Sequence, residues 1–293
     1  MKHRKEKGVI SPFQALCTAL AATVGTGNIA GVAAAICIGG AGAVFWMWVA
    51  AFFGMMTNYA ENVLGIYFRR KNSEGEWSGG AMYYLQDGLG KKKGCKWIGK
   101  VLAILFCIFT MLASFGIGSM GQVNKIVANV SEAFDVKALS SIEVFDGISL
   151  YNIILGVLIM ILTAVITLGG VKRIASVTEK LVPLMACLFL IGGVVILAVN
   201  FKSIPGTFGM IFKYAFTPNA LIGGGIGYAI KTAISQGAKR GLFSNEAGMG
   251  STPHAHAVAK VDKPHDQGVV AMIGVFIDTF VVLTMTALVV ITC

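Results

Sequence analysis

The chain has 293 residues, of which 56% are hydrophobic and 13% are charged, and its mean hydropathy is +0.75. A soluble domain carries about 25% charged residues, so this composition excludes an ordinary soluble protein and predicts an all-α polytopic membrane protein. The formal net charge of +10 does not indicate nucleic acid as a partner, because Lys and Arg concentrate in one set of loops, which is the pattern of membrane topology.

Seven apolar stretches are long enough to cross a lipid bilayer, which takes about 20 apolar residues. They lie at residues 10–39, 42–68, 98–124, 151–170, 177–200, 215–238 and 268–292. With the N-terminus inside, the outer segments contain four of the 24 Lys and Arg residues, namely Lys125, Lys137, Lys202 and Lys213. Because Lys and Arg accumulate on the cytoplasmic side, we expect a plasma-membrane protein with a cytoplasmic N-terminus.

The first stretch is interrupted at its centre by residues 23–31, which read TVGTGNIAG. Each glycine costs a helix interior roughly 0.8–1 kcal/mol relative to alanine. Backbone groups freed at mid-bilayer are tolerated only where they are buried in protein or line a watery cavity. The pattern therefore predicts a broken helix whose backbone groups bind an ion and a small polar solute.

The broken segment offers two kinds of binding group. The N-terminus of its second half carries about +0.5 charge, which suits a substrate carboxylate. The candidate substrate contacts here are Gly25, Thr26, Gly27 and Gly31. Asn28 offers an amide oxygen to a hard cation, beside a freed carbonyl of Thr23 or Val24. An alternative role for Asn28 is to cap the second half of the helix.

Two carboxylates lie inside apolar stretches, Glu61 in the second and Asp278 in the seventh. A charge at mid-bilayer costs roughly 2.5–3.5 kcal/mol even on a mild scale, so both are functional candidates. Asp278 with Thr279 is a candidate cation site. Glu61 is interpreted as a structural brace that accepts amide hydrogens of unwound backbone, although a near-surface position would also explain it.

The third and sixth stretches supply further candidates. Gln122 offers a donor and an acceptor, as a zwitterion requires, although the glycines around it are explained by close helix packing. The sixth stretch contains a second glycine-rich interruption, whose candidate substrate contacts are Gly223, Gly225 and Gly227. After it come residues 241–256, interpreted as an inner gate or loop anchor, where His254 and His256 give a weak metal signal. No metal is predicted beyond the coupling cation.

Paired interruptions five stretches apart are typical of transporters built from inverted repeats. We therefore expect residues 1–293 to form a single transmembrane domain with a partial 5+5 inverted-repeat fold, broken in its first and sixth core helices. Residues 1–200 would form the first five-helix repeat, and residues 201–293 the start of a truncated second repeat.

Four motifs resemble the alanine/glycine:cation symporter family, the sodium:alanine symporters, and the likeness extends over essentially all 293 residues. They are Ala22–Gly31, Gly79–Tyr84, Gly241–Gly248 and Gly274–Thr279. The first also resembles the first-helix motif of neurotransmitter:sodium symporters, whose asparagine binds sodium, and this implies a sodium ligand at Asn28. The resemblance implies uptake of alanine or glycine coupled to Na⁺, or to H⁺, by alternating access, without a further cofactor. It also implies a truncated member, because the family has one helix more before the first stretch and three more after the seventh.

Rival interpretations are an ion or solute channel, an inactive transporter fragment and a seven-helix receptor or retinal protein. The last stretch contains no lysine for a retinal Schiff base. An enzyme is not expected, since neither HExxH nor a nucleophile elbow is present. The expected partners are a small amino acid and the lipid bilayer, while the sequence leaves the oligomeric state open.

Overall fold

The structure is a computed structural model that describes residues 9–73, 75–116, 119–134, 137–145, 147–216 and 226–293. Most of the described chain is helical, with two short antiparallel hairpins. The α-helices are α1 Pro12–Thr23, α2 Val32–Gly39, α3 Gly42–Tyr67, α4 Ala81–Tyr83, α5 Lys96–Gly116, α6 Met120–Ala133, α7 Lys137–Ser140, α8 Leu150–Thr167, α9 Gly170–Val199, α10 Ile204–Phe216, α11 Ile226–Asn245, α12 Thr252–His256, α13 Pro264–Phe276 and α14 Thr284–Thr292.

Shorter elements connect these helices. The hairpin strands are β1 Arg70–Lys71 with β2 Trp77–Ser78, and β3 Glu143–Phe145 with β4 Ile148–Ser149. Wider π-helical segments occupy Gly27–Gly31, Tyr84–Leu89 and Ile277–Leu283, and a 3₁₀ turn covers Phe201–Ser203. The π-helical segment Ile277–Leu283 joins α13 to α14, so Pro264–Thr292 is one continuous span.

The first membrane span is broken, as predicted. A capping box starts α1, in which Ser11 Oγ accepts from the Gln14 amide and Gln14 Oε1 accepts from the Ser11 amide. The helix ends at Thr23, and a π-helical segment begins at Gly27. The two halves differ in direction by 52°. The break coincides with the glycines and threonines that interrupt the apolar pattern.

The described residues contain five helices long and apolar enough to cross a membrane, or six when the bent pair counts as one span. This confirms a multi-pass α-helical membrane protein. The sixth predicted stretch, residues 215–238, differs most from expectation, because residues 217–225 lie outside the described residues and α11 continues to Asn245. Lys231, Gln236 and the Lys239–Arg240 pair keep α11 too polar to count as an apolar span.

The core lies where α3 is surrounded by α2, α10, α11 and α13. Glycines allow this close approach. A side chain at Gly42 would collide with the Tyr214 backbone of α10, and a Cβ on Gly237 of α11 would lie 2.5 Å from the Ala43 carbonyl oxygen. Small residues at helix interfaces are the usual means of close packing in membranes. In contrast, α5, α8 and α9 expose apolar side chains along most of their length, as lipid-facing helices do.

Candidate functional site

A buried polar cluster forms around Asp278, in the π-helical segment of the last span. The residue is 1% exposed, and its carboxylate accepts three side-chain hydrogen bonds. Asn28 Nδ2 donates to Oδ1 at 2.8 Å, while Ser244 Oγ donates to Oδ2 at 2.9 Å. Thr279 Oγ1 also donates to Oδ2, at 3.2 Å. The broken first span and the end of α11 thus meet the last span at one carboxylate.

Asn28 joins this cluster to the broken first span. Its Nδ2 also donates to the Asp278 carbonyl oxygen at 3.1 Å, and its Oδ1 accepts from the Gly25 amide at 3.1 Å. The amide therefore presents nitrogen to Asp278 and uses its oxygen to cap the break. For Asn28 to give its oxygen to a cation beside Asp278, the amide has to turn over, which exchanges two groups of nearly equal size.

Asn245 supports the cluster from the end of α11. Its Nδ2 donates to Thr279 Oγ1 at 3.2 Å, and its Oδ1 accepts from the Ala247 amide at 3.1 Å. Asn245 and Thr279 are both at most 1% exposed. Buried polar groups of this kind hold a fixed arrangement only while every member is paired.

A cavity of about 470 Å³ lies beside the broken span, between α1, α6, α8, α9 and the end of α11. Three predicted contacts line it, Thr26, Gly27 and Gln122, together with Thr23. Gln122 also approaches the break directly, because a Cβ on Gly25 would lie 3.7 Å from its Nε2. The cavity is large enough and polar enough for a small solute.

The remaining predicted residues divide into near and distant ones. Val24, Gly25 and Asn28 line a second, smaller cavity of about 60 Å³ against α9. Gly31 lies one turn beyond the break, where its amide donates to the Thr26 carbonyl at 3.0 Å. Among the sixth-stretch glycines, Gly223 and Gly225 lie outside the described residues, and Gly227 lies in the first turn of α11.

Glu61 lies apart from both cavities, on α3. Its Oε2 accepts from the Gly248 amide and its Oε1 from the Gly250 amide, both at 3.0 Å. Both glycines have positive φ, 87° and 74°, in the turn that follows α11. Together with burial, the Glu61 charge raises the pKa of the neighbouring Tyr84 phenol to about 12, and burial is the larger cause. These are the hydrogen bonds that a brace of unwound backbone would make.

Comparison with known proteins gives the family. The sequence model of the sodium:alanine symporter family matches residues 1–293. The chain belongs to this family.

Among curated sodium:alanine symporter relatives, the sodium/alanine symporter AgcS of Methanococcus maripaludis is 49% identical over 290 residues, covering 98% of this chain and 59% of AgcS. The amino-acid carrier protein AlsT of Bacillus subtilis is 40% identical, covering 99% of this chain and 56% of AlsT. The probable sodium/glutamine symporter GlnT of Bacillus subtilis is 38% identical, covering 98% and 54%. The chain thus spans a little over half the length of these relatives.

The family motif at residues 241–248 is placed differently from expectation. Sequence reasoning set it after the sixth stretch as an inner gate or loop anchor, but Gly241–Asn245 form the last turn of α11. The predicted end of the sixth stretch at residue 238 is wrong, because α11 continues past Lys239 and Arg240. As a result, Ser244 and Asn245 were missed as partners of Asp278 and Thr279. Their spacing from Gly241 on one helical face was the available signal.

Proposed function

We propose that this chain carries the cation and substrate sites of a secondary active transporter, which moves a small amino acid such as alanine or glycine into the cell together with Na⁺, or H⁺, by alternating access. Family membership supports sodium-coupled amino-acid symport, and the relatives' names include alanine and glutamine carriers. The preference for a small substrate is supported by the family description and by the glycines proposed to line the pocket.

The observation that carries this proposal is the uncompensated carboxylate of Asp278. Taking a carboxylate out of water costs several kcal/mol unless it is paired. Within the described ranges, no Lys, Arg or His side chain forms an ion pair with Asp278, and its partners are neutral donors. A bound Na⁺ or a proton would supply the missing positive charge. We assign the proposed cation ligands to Asp278, Thr279 and Asn28, with the carbonyls of Thr23 or Val24.

The substrate is proposed to bind at the break in the first span and in the adjoining 470 Å³ cavity. Its carboxylate would lie at the N-terminus of the second half-helix, where Thr26 and Gly27 provide backbone amides and a positive dipole, while Gly31 leaves space one turn further on. Gln122 would contact it from α6. From the sequence pattern alone, Gly223, Gly225 and Gly227 are proposed as further substrate contacts through their backbone carbonyls.

The proposed architecture is the 5+5 inverted repeat, with residues 1–200 as the first repeat, residues 201–293 in the second and a cytoplasmic N-terminus. The broken first span supports it. Coupling then follows from the membrane potential, because one positive charge crossing 100 mV releases about 2.3 kcal/mol. At about 1.4 kcal/mol per tenfold change, this drives roughly 50-fold accumulation.

Sodium binding gives the first test, measured as thermal unfolding of the purified chain in NaCl and in choline chloride. A ligand at 100 times its Kd stabilises the folded state by about 2.7 kcal/mol. We expect Asp278→Asn to abolish this sodium-dependent gain. The matched control is Asp266→Asn, an exposed carboxylate at the start of α13, which should keep it. An unchanged sodium effect in Asp278→Asn would remove Asp278 from the cation site.

Uptake of labelled alanine into proteoliposomes gives the second test. A symporter shows saturable uptake that an inward sodium gradient accelerates, whereas a channel shows a non-saturating flux that runs only down the alanine gradient. Sodium binding without uptake would indicate that the sites are formed but that this chain does not complete the transport cycle by itself.

A further inference from the structure

The large cavity contains one ionisable side chain among the described residues that line it, that of Glu246. This residue is half-buried and follows directly after α11. The other polar residues of the lining are neutral: Thr18, Thr23, Thr26, Thr163, Thr167, Thr178 and Gln122. The cavity therefore presents a single negative charge to a solute.

The backbone of Glu246 indicates that its side chain is there for a reason other than ending the helix. Its φ is +53°. Among the described residues, Glu246 is the only non-glycine residue with a positive φ. Its amide donates to the Leu242 carbonyl at 3.0 Å, as in a helix end with a left-handed residue. Glycine or asparagine is the usual residue at such a position, because a Cβ is strained there. Strained residues of this kind cluster at ligand sites.

The carboxylate of Glu246 is oriented by one hydrogen bond, which engages only one of its two oxygens. Ser251 Oγ donates to its Oε2 at 2.5 Å, which fixes one oxygen. The other oxygen, Oε1, accepts no hydrogen bond from any of the described residues. A carboxylate with one oxygen held and the other free can accept a charge-assisted hydrogen bond from a cationic group.

Glu246 also lies next to both proposed binding positions. The last turn of α11 packs on the break, since a Cβ on Gly27 would lie 3.3 Å from Ser244 Cα. Ser244, two residues before Glu246, donates to Asp278 Oδ2 at 2.9 Å. A cation at Asp278 and an ammonium group at Glu246 would offset both negative charges. An anionic solute without an ammonium group would leave the charge of Glu246 unpaired.

We propose that Glu246 binds the α-ammonium group of the transported amino acid and thereby selects amino acids over the corresponding hydroxy acids. This inference rests on the proposed function and names a specificity-determining residue of the same site. The ammonium would donate to Oε1, with threonine hydroxyls of the cavity wall as further acceptors.

Equilibrium binding of L-alanine and L-lactate to the purified chain in sodium-containing lipid nanodiscs tests this assignment. Lactate has a hydroxyl where alanine has its ammonium, so it keeps every other contact. We expect Glu246→Gln to raise the Kd of alanine roughly 10- to 100-fold, the range of a lost hydrogen bond to a charged group, and to leave the Kd of lactate within about twofold. The matched control is Glu61→Gln, which weakens the neighbouring turn and should change both dissociation constants by the same factor.

Two results in Glu246→Gln and one in the parent chain would overturn the assignment alone. An alanine Kd in Glu246→Gln within about twofold of the parent would remove Glu246 from the site. An equal loss of alanine and lactate binding would make Glu246 a loop anchor only. If Glu246→Gln does not fold, the parent chain still decides, because N-acetylalanine and lactate must then compete at least about tenfold less well than alanine. Failure of the parent to bind alanine at all would instead overturn the proposed function, and this inference with it.

Discussion

Glu61 and Asp278 are both carboxylates within membrane-spanning helices, but the chain holds them in different ways. Glu61 accepts from two backbone amides, those of Gly248 and Gly250. Asp278 accepts from the side chains of Asn28, Ser244 and Thr279. Backbone donors in a turn cannot leave without local unfolding, whereas side-chain donors can rotate away and present an oxygen instead.

An intramembrane charge is therefore not expected to identify a binding site by itself. We propose that the nature of its hydrogen-bond donors separates a structural charge from an exchangeable one. A carboxylate fixed by amides has no reason to exchange its partners during function. A carboxylate surrounded by hydroxyl and amide side chains can exchange hydrogen-bond donors for a cation, because each of those side chains also carries an oxygen.

The largest effect is expected from Glu61→Ala, which leaves two amides of the turn without an acceptor. Each hydrogen bond to a charged group contributes roughly 1.5–3 kcal/mol, so the loss of two lowers the free energy of unfolding by about 3–6 kcal/mol. Thermal or denaturant unfolding measures this loss. The sodium-dependent part of the stability should persist, because Glu61 lies outside the proposed cation site.

The control for this variant is Glu132→Ala, an exposed carboxylate on α6, which should change stability by less than about 0.5 kcal/mol. If Glu61→Ala unfolded like the parent but lost its response to sodium, the comparison would be reversed, and Glu61 would be the exchangeable charge.

Acidification is expected to have the next largest effect, and it should act through His256, close in sequence to the turn whose amides donate to Glu61. His256 lies at the end of α12, is 1% exposed and has its Nδ1 against Gln267 Nε2. Burial lowers its pKa to about 4 from an ordinary value of 6.5. Between those two values the unfolded state binds a proton that the folded state does not. Stability is therefore complete above pH 6.5 and falls as the pH drops towards 4, by about 3 kcal/mol in total.

Unfolding measured between pH 7 and pH 4 checks this effect. In His256→Gln the slope of stability against pH over that range should become shallower, even if the variant is less stable throughout. Thr286→Val, which removes a buried hydroxyl and no titratable group, should keep the parent slope. A parent chain whose stability does not change between pH 6.5 and 4 would contradict a buried neutral His256.

The sequence predicted the features that depend on local pattern. The break near Gly25 could be predicted because three glycines and two threonines interrupt an otherwise apolar run, and the structure places it there. The burial of Asp278 could be predicted from its apolar flanks. Both inferences need only the identity of residues that are close in sequence.

Pairing across the chain could not be predicted in the same way. Asn28 and Asp278 are separated by 250 residues, and nothing in their local patterns fixes the hydrogen bond between them. Ser244 and Asn245 were missed because the predicted sixth stretch ends at residue 238, whereas α11 packs against α2 and α3 and continues to Asn245. Tertiary contacts decide where a polar helix of this kind ends.

The smallest effect is expected from a substitution at Thr279. This substitution tests whether the hydrogen-bond donors of Asp278 can be replaced by a cation. The hydroxyl donates to Asp278 Oδ2 and accepts from Asn245 Nδ2. In Thr279→Val, with the shape kept and the hydroxyl lost, we expect about 1 kcal/mol of destabilisation without sodium. Because a cation ligand is also lost, sodium affinity should fall by roughly tenfold or less, about 1 kcal/mol.

Thermal unfolding across a sodium titration separates these two losses. The matched control is Thr286→Val in the same span, whose hydroxyl donates to the Val282 carbonyl and lies away from the carboxylate. That variant should keep the parent sodium midpoint. If Thr279→Val also kept it, the hydroxyl would be a fixed donor like the amides around Glu61, and the two carboxylates would differ less than their partners indicate.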